Sequence, residues 1–243
     1  MMGGALMVLT RLSIRQLAGG KRMWLVLILA ALPLVFAAIF ALVDADMTPL
    51  EFSNGLTNEL IASTILPLVM LVLAAASFGN ELDDHTLPFL VQKPVARWRI
   101  VAAKLVAALL VGGVPVLVSA WFSTFVSTEG DAGHATVTIA ALAVGTVAYA
   151  TLFTWAGLAI RYALPFGIAY IFVWEAALSS FLGGTRFLSV RQYMLAIVRG
   201  LDEERLQNVT IELSPTAGLI GAALVTAVFI VLTIRRLDRM DIP

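Results

Sequence analysis

Residues 23–43 read MWLVLILAALPLVFAAIFALV, an apolar run without one charged side chain. No other feature constrains the fold as much. A helix needs about 20 mostly apolar residues to cross a hydrocarbon core about 30 Å thick, and inside that core the backbone has to satisfy its own hydrogen bonds. Five further stretches qualify: 60–78, 105–126, 137–160, 163–182 and 216–234. Of the 243 residues only 13% are charged, against about 25% in an average globular domain. The spans leave little chain for a soluble domain. The expectation is one all-α, polytopic membrane domain over residues 1–243 with six transmembrane helices.

Ahead of the first span, Leu6, Leu9, Ile14 and Leu17 are set against Arg11, Arg15 and Gln16 at helical spacing. Residues 4–20 are therefore read as an amphipathic interfacial helix, with Gly19 and Gly20 as the bend into span one. The span that follows is too long for the apolar core of a signal peptide, and no small-residue cleavage pattern accompanies it. Basic residues set the orientation. Arg11, Arg15, Lys21, Arg22, Lys93, Arg97, Arg99, Lys104, Arg161, Arg235, Arg236 and Arg239 fall on one side, and Arg186, Arg191, Arg199 and Arg205 on the other. By the positive-inside rule, both termini and the loop 79–104 are cytoplasmic, and 183–214 is a long outer segment.

The loop 79–104, GNELDDHTLPFLVQKPVARWRIVAAK, is a polar island in an apolar chain. Asn80 or the acids after it can open a short helix, since a helix N-terminus favours Glu81, Asp83 and Asp84. Arg97, Arg99 and Lys104 stand at the start of span three, where they can snorkel to headgroups as membrane-interface anchors. Two readings stay open. One is a solvated loop anchored by its basic residues. The other is a docking element for a cytoplasmic partner, because Leu82, Leu87, Phe89, Leu90 and Val91 make the loop more apolar than solvation requires.

Two other regions stand out. Glu175 is the one carboxylate inside a predicted span; it is either a pathway or interface group, or a residue satisfied by a Tyr, Trp or Ser partner across a helix contact. In the outer segment, Ser189 and Gln192 have capping-box spacing within an apolar stripe, Phe187, Val190, Met194, Ile197, Val198 and Leu201, interrupted by Arg191 and Arg199. That stripe predicts an amphipathic outer helix, either a lid on its own domain or a binding surface. Thr48, Pro49 and Glu51 form another helix-start signature, expected to order no more than a short outer turn. Gly112, Gly113 and Pro115 predict a bend in span three, and Ala141 with Gly145 a close-packing face on span four.

The order Glu81, Asp83-Asp84, Thr86-Leu87, Leu90, Pro94-Val95, Arg97 and Lys104 resembles the E-x-x-x-G-T-L, L-x-x-P-V-x-R, K signature between the second and third spans of ATP-binding cassette (ABC) type-2 permeases. The six-span plan, the surface helix and the very short turn between spans four and five are similar as well. One position departs: His85 stands where that pattern has glycine, so the backbone is expected to differ there. The resemblance implies the membrane half of an exporter in a prokaryotic plasma membrane. Its loop would carry a cytoplasmic coupling helix, with Glu81, Leu82, Asp83, Asp84, Leu87, Phe89 and Leu90 docking on a separate ATPase subunit. A second permease copy, in a homodimer or heterodimer, would complete the pathway.

The residues agree from their own side. A phosphate-cradling G-x-x-x-x-G-K-[ST] loop is absent, and GGKR at 19–22 has neither its spacing nor its hydroxyl residue, so any ATP hydrolysis belongs to another chain. Without cysteine there is no thiol catalysis or thiolate metal site, and no cofactor is implied; a net charge of zero gives no case for nucleic acid. A secondary transporter would be expected to show paired intramembrane charges or a matching inverted repeat. It and a non-transporting membrane scaffold are the alternatives.

Overall fold

A computed structural model describes residues 2–43, 46–86, 95–178, 188–201 and 213–240, which are helical apart from short turns. The helices are α1 (Met2–Leu17), α2 (Lys21–Leu42), α3 (Pro49–Asp83), α4 (Arg97–Ser127), α5 (Ala132–Ala159), α6 (Ala163–Ala169, continuing as a π-helical stretch Tyr170–Leu178), α7 (Val190–Leu201) and α8 (Pro215–Asp238). Five of them, α2, α3, α4, α5 and α8, are long and apolar enough to cross a membrane. The stretch predicted as span five appears as α6, apolar but shorter, with 179–182 outside the described residues.

The helix starts follow from sequence. Thr48 and Glu51 close a reciprocal capping box: the Glu51 N–H donates to Thr48 Oγ1 at 3.2 Å, and the Thr48 N–H donates to Glu51 Oε2 at 3.0 Å, with Pro49 at the first helical position. Asp131 and Ser214 cap α5 and α8 by accepting the N–H groups of His134 and Ala217. α8 closes with Arg235 and Arg236 in its last turn, where the helix dipole favours cations.

Two expectations change on α3. The Thr48 signature opens not a short turn but a helix of 35 residues that runs on through the apolar stretch. Polar Thr57, Asn58, Glu59 and Ser63 masked this continuity. They sit in a π-helical stretch, Leu56–Ile65, where Asn58, Glu59 and Ser63 find hydrogen-bond partners. At the other end α3 does not stop near Phe78. Asn80, Glu81 and Asp83 complete its last turn rather than starting a new helix, so the acids lie at the dipole's negative end. Of the docking residues, Leu87, Phe89 and Leu90 lie outside the described residues.

Prolines shape α3 and α4. Pro67 and Pro115 each lack an N–H to give to the helical ladder, and each follows directly on a π-helical stretch, Leu56–Ile65 or Leu109–Gly113. There Leu66 donates to Ile61 and Val114 to Leu109, five residues back, so the widened turns lie where proline interrupts the regular bonding. Gly112 belongs here for packing as well: a Cβ on it would lie 2.8 Å from the end of Met70.

The core lies between α3 and α5. Of the most apolar stretch of α3, 78% is buried, against 22% for α2 and 17% for α8, which flank the bundle and leave apolar faces for lipid. Gly157 lets α5 approach α3 backbone to backbone, since a Cβ there would collide with the main chain of Ala75. α1 rests on α4 through Leu17 and, less deeply, Leu9 and Ile14, while Arg11 and Arg15 stay exposed. Gly20, at φ 86°, makes the bend into α2 in a backbone conformation that suits glycine.

Candidate functional site

The basic end of the bundle holds the polar island. α3 ends there in a Schellman turn: Thr86 N–H donates to the Glu81 carbonyl at 2.9 Å and His85 N–H to the Leu82 carbonyl at 3.3 Å. His85 takes φ 54°, the left-handed conformation that glycine adopts freely. The histidine is held in the glycine-like geometry, and the cost appears as strain.

Lys104 changes role. Expected to reach headgroups with Arg97 and Arg99, it is instead 2% exposed. Its ammonium donates to the Ser77 carbonyl and to Glu81 Oε1 at 2.7 Å, and lies 4.7 Å from the centre of the Phe78 ring. A buried ammonium needs such a partner, and Glu81 comes from the helix on the other side of the loop. Arg97 and Arg99 stay partly exposed, Arg97 4.0 Å from Asp238 and Arg99 against Trp98. Leu82 packs on the core, whereas Asp83 and Asp84 face out. Beside them Arg22 donates to Asn80 Oδ1 at 2.8 Å.

At the opposite end Glu175 is fully buried and, among the described residues, accepts from Tyr170, Ser189, Val190 and Arg191. The Tyr170 hydroxyl reaches Oε1 at 2.8 Å and the Ser189 hydroxyl Oε2 at 2.5 Å; the Val190 and Arg191 N–H groups follow at 3.0 and 3.3 Å. Two of these donors are the first amides of α7, so the carboxylate caps that helix at the positive end of its dipole. Ser189 completes the cap by accepting the Gln192 N–H at 3.2 Å. Burial, and then the nearby Glu175 carboxylate, raise the Tyr193 phenol above its ordinary range.

The residues joined to this cap were not selected from sequence. Arg191 donates through Nε and Nη2 to Asn58 Oδ1, at 3.1 and 2.9 Å, and through Nη2 to Glu59 Oε1 at 2.9 Å, which fastens α7 to α3. The signal was Arg191 itself, an arginine breaking an apolar stripe. The expected amphipathic helix forms as α7, and it is buried rather than lying on a surface: Val190 through Val198 are all buried, against α5 and α8. The small face of span four, Ala141 and Gly145, receives it, with Gly145 leaving room for Met194.

The sequence model of the ABC-2 family transporter proteins matches residues 20–181. The chain belongs to the ABC-2 transporter family. No curated protein matches it. In this ABC-2 permease, a multi-pass membrane protein, the match runs from the start of α2 through the described part of α6. It takes in Glu81, Lys104 and Glu175, while Ser189, Arg191, α7 and α8 lie beyond it. The Lys104–Glu81 pair thus lies wholly within the match, and the Glu175 cap joins a family residue to a segment outside it.

Proposed function

We propose that this permease is the membrane subunit of an ATP-driven exporter, coupled through residues 79–104 to a separate ATPase and working with a second permease copy. In this reading the stretch 163–182 counts as span five and brings the spans to six, α1 lies on the membrane surface, and both termini are cytoplasmic in a prokaryotic plasma membrane. The observation that carries it is the Lys104–Glu81 bridge within the family match. The loop leaves α3 just after Glu81 and re-enters α4 at Arg97, about two turns before Lys104, so the bridge ties together the two helices that carry the loop. A push on the loop then moves α3 and α4 as one body, which is what a small docking element needs if it is to transmit force.

Docking on this reading uses Leu82, Leu87, Phe89 and Leu90 as apolar anchors and the exposed Asp83 and Asp84 as charge that sets register, while Glu81, expected from sequence to dock as well, is held by Lys104. Truncating a buried aromatic anchor costs on the order of 2 kcal/mol or more, and neutralising an exposed acid about 1 kcal/mol or less. Phe89→Ala is expected to reduce co-purification with the ATPase or uncouple hydrolysis from transport in vesicles, and Asp83→Asn to do so weakly. Intact assembly and transport after serine replacement of all four apolar residues would refute docking. A reporter fused after Arg239 should be cytoplasmic and one near Asp131 external; the reverse labelling overturns the topology.

A further inference from the structure

A cleft of about 660 Å³ opens at the basic end, where α2 begins, α3 and α5 end, α6 begins and α8 ends. Five helix ends in one place mark the level at which hydrocarbon gives way to headgroups. The volume falls within the range of about 300–1,000 Å³ typical of small-molecule sites. Its floor is apolar, with Ala76, Leu158 and Leu164 among the lining residues. Three exposed guanidiniums border it from three separate elements: Arg22 on α2, Arg161 in the turn between α5 and α6, and Arg236 on α8.

Among the described residues these arginines have no ionic partner. Arg22 bonds only the neutral side-chain carbonyl of Asn80, Arg161 lies over its own neighbour Tyr162, and no carboxylate pairs with any of the three among the described residues. Asp83 is the one acid lining the cleft, and His85 stands beside it. The balance is cationic. A guanidinium fork matches phosphate oxygens, and basic pockets between transmembrane helices suit anionic headgroups.

We propose that this cleft binds an anionic phospholipid, its phosphate held by Arg22, Arg161 and Arg236 and its upper acyl chain lying on the apolar floor. A zwitterionic lipid presents the same phosphate with a compensating amine and gains less. A free phosphate meets the arginines but leaves the floor empty. The first residues of the docking loop, Leu82, Asp83 and His85, also line the cleft, and the site needs no particular substrate for the permease.

The test uses the full chain in detergent, delipidated and then mixed with phosphatidylglycerol or phosphatidylcholine, with retained lipid read by native mass spectrometry and stability by thermal unfolding. Phosphatidylglycerol is expected to stay bound and raise the unfolding temperature more than phosphatidylcholine. Because a basic residue near an anionic surface contributes about 1 kcal/mol, the variant Arg161→Gln with Arg236→Gln should bind roughly 25-fold more weakly. Arg161→Lys with Arg236→Lys should retain most of the binding, which separates charge from packing. Arg11→Gln with Arg15→Gln, on α1 away from the cleft, should leave it unchanged. Equal retention of the two lipids, unaltered retention in the glutamine variant, or full displacement by millimolar inorganic phosphate would each overturn the proposal. So would a glutamine variant that keeps its lipid preference and loses only the ATPase, which would make the cleft a protein contact.

Discussion

At one end of α3, Glu81 meets Lys104 with side chains 14% and 3% exposed; at the other, Glu59 meets Arg191 with side chains 68% and 8% exposed. Both pairs fasten a partner helix to the same central helix, and both bury a cation. They differ in how the cation is satisfied. Lys104 has one carboxylate and one carbonyl, so nearly all its compensation depends on Glu81. Arg191 spreads its guanidinium over Asn58 as well as Glu59, and the Glu175 carboxylate nearby holds its backbone N–H. Concentrated and distributed compensation should respond very differently to loss of one acid.

The largest effect is expected from Glu81→Leu. Removing one partner of a buried pair leaves an uncompensated charge and costs about 3–5 kcal/mol, whereas replacing both with apolar groups is often near neutral. Thermal unfolding of the purified permease should therefore show a large loss for Glu81→Leu and substantial recovery in the double variant with Lys104→Met. Equal losses in the two variants would mean that the bridge does not carry the concentrated role argued for it.

Glu175→Gln comes next. The amide keeps the size but loses the charge and turns an acceptor into a donor that faces donors, a cost of about 2 kcal/mol. We expect lower thermal stability and faster proteolysis near α7, the helix this carboxylate caps. Altered transport at unchanged stability would move Glu175 from a cap to a pathway residue.

These two sites also divide what was legible in the sequence from what was not. The apolar runs announced the spans because hydrocarbon thickness dictates their length. Glu81 and Lys104 stood out through their place in a family signature, yet their pairing did not: 23 residues and a loop separate them, and a lysine near a membrane boundary reads as a headgroup anchor. Arg191 and Asn58 lie 133 residues apart, and no local pattern joins them. The same blindness shortened α3. Thr57, Asn58 and Glu59 look like the end of a span, because Arg191, the partner of Asn58 and Glu59 on α7, comes from a distant part of the chain. Conversely, the Ser189 cap was visible since it is local.

A smaller effect, of opposite sign, tests the turn that closes the Glu81 end. With His85 at φ 54°, relief of left-handed strain in His85→Gly should stabilise by about 1 kcal/mol, less what the freer unfolded chain takes back. Unfolding by heat measures it. A clear loss of stability instead would show that the imidazole makes a compensating contact with the residues that follow.

The smallest effect is expected from Glu59→Gln, and it separates the two compensation schemes most cleanly. Arg191 Nη2 lies 2.9 Å from both Asn58 Oδ1 and Glu59 Oε1, and Nε keeps its own bond to Asn58. An amide at position 59 still offers an acceptor oxygen, so the guanidinium retains all its hydrogen bonds and loses only an exposed charge. Exposed ion pairs contribute about 1 kcal/mol or less. That contribution is screened further in 1 M salt, where the Debye length falls to about 3 Å. The unfolding temperature should thus shift slightly at low salt and coincide with wild type at high salt. Glu81→Gln, buried beside Lys104, should keep its deficit at both. A loss at position 59 that is large and indifferent to salt would place Arg191 in the same concentrated regime as Lys104.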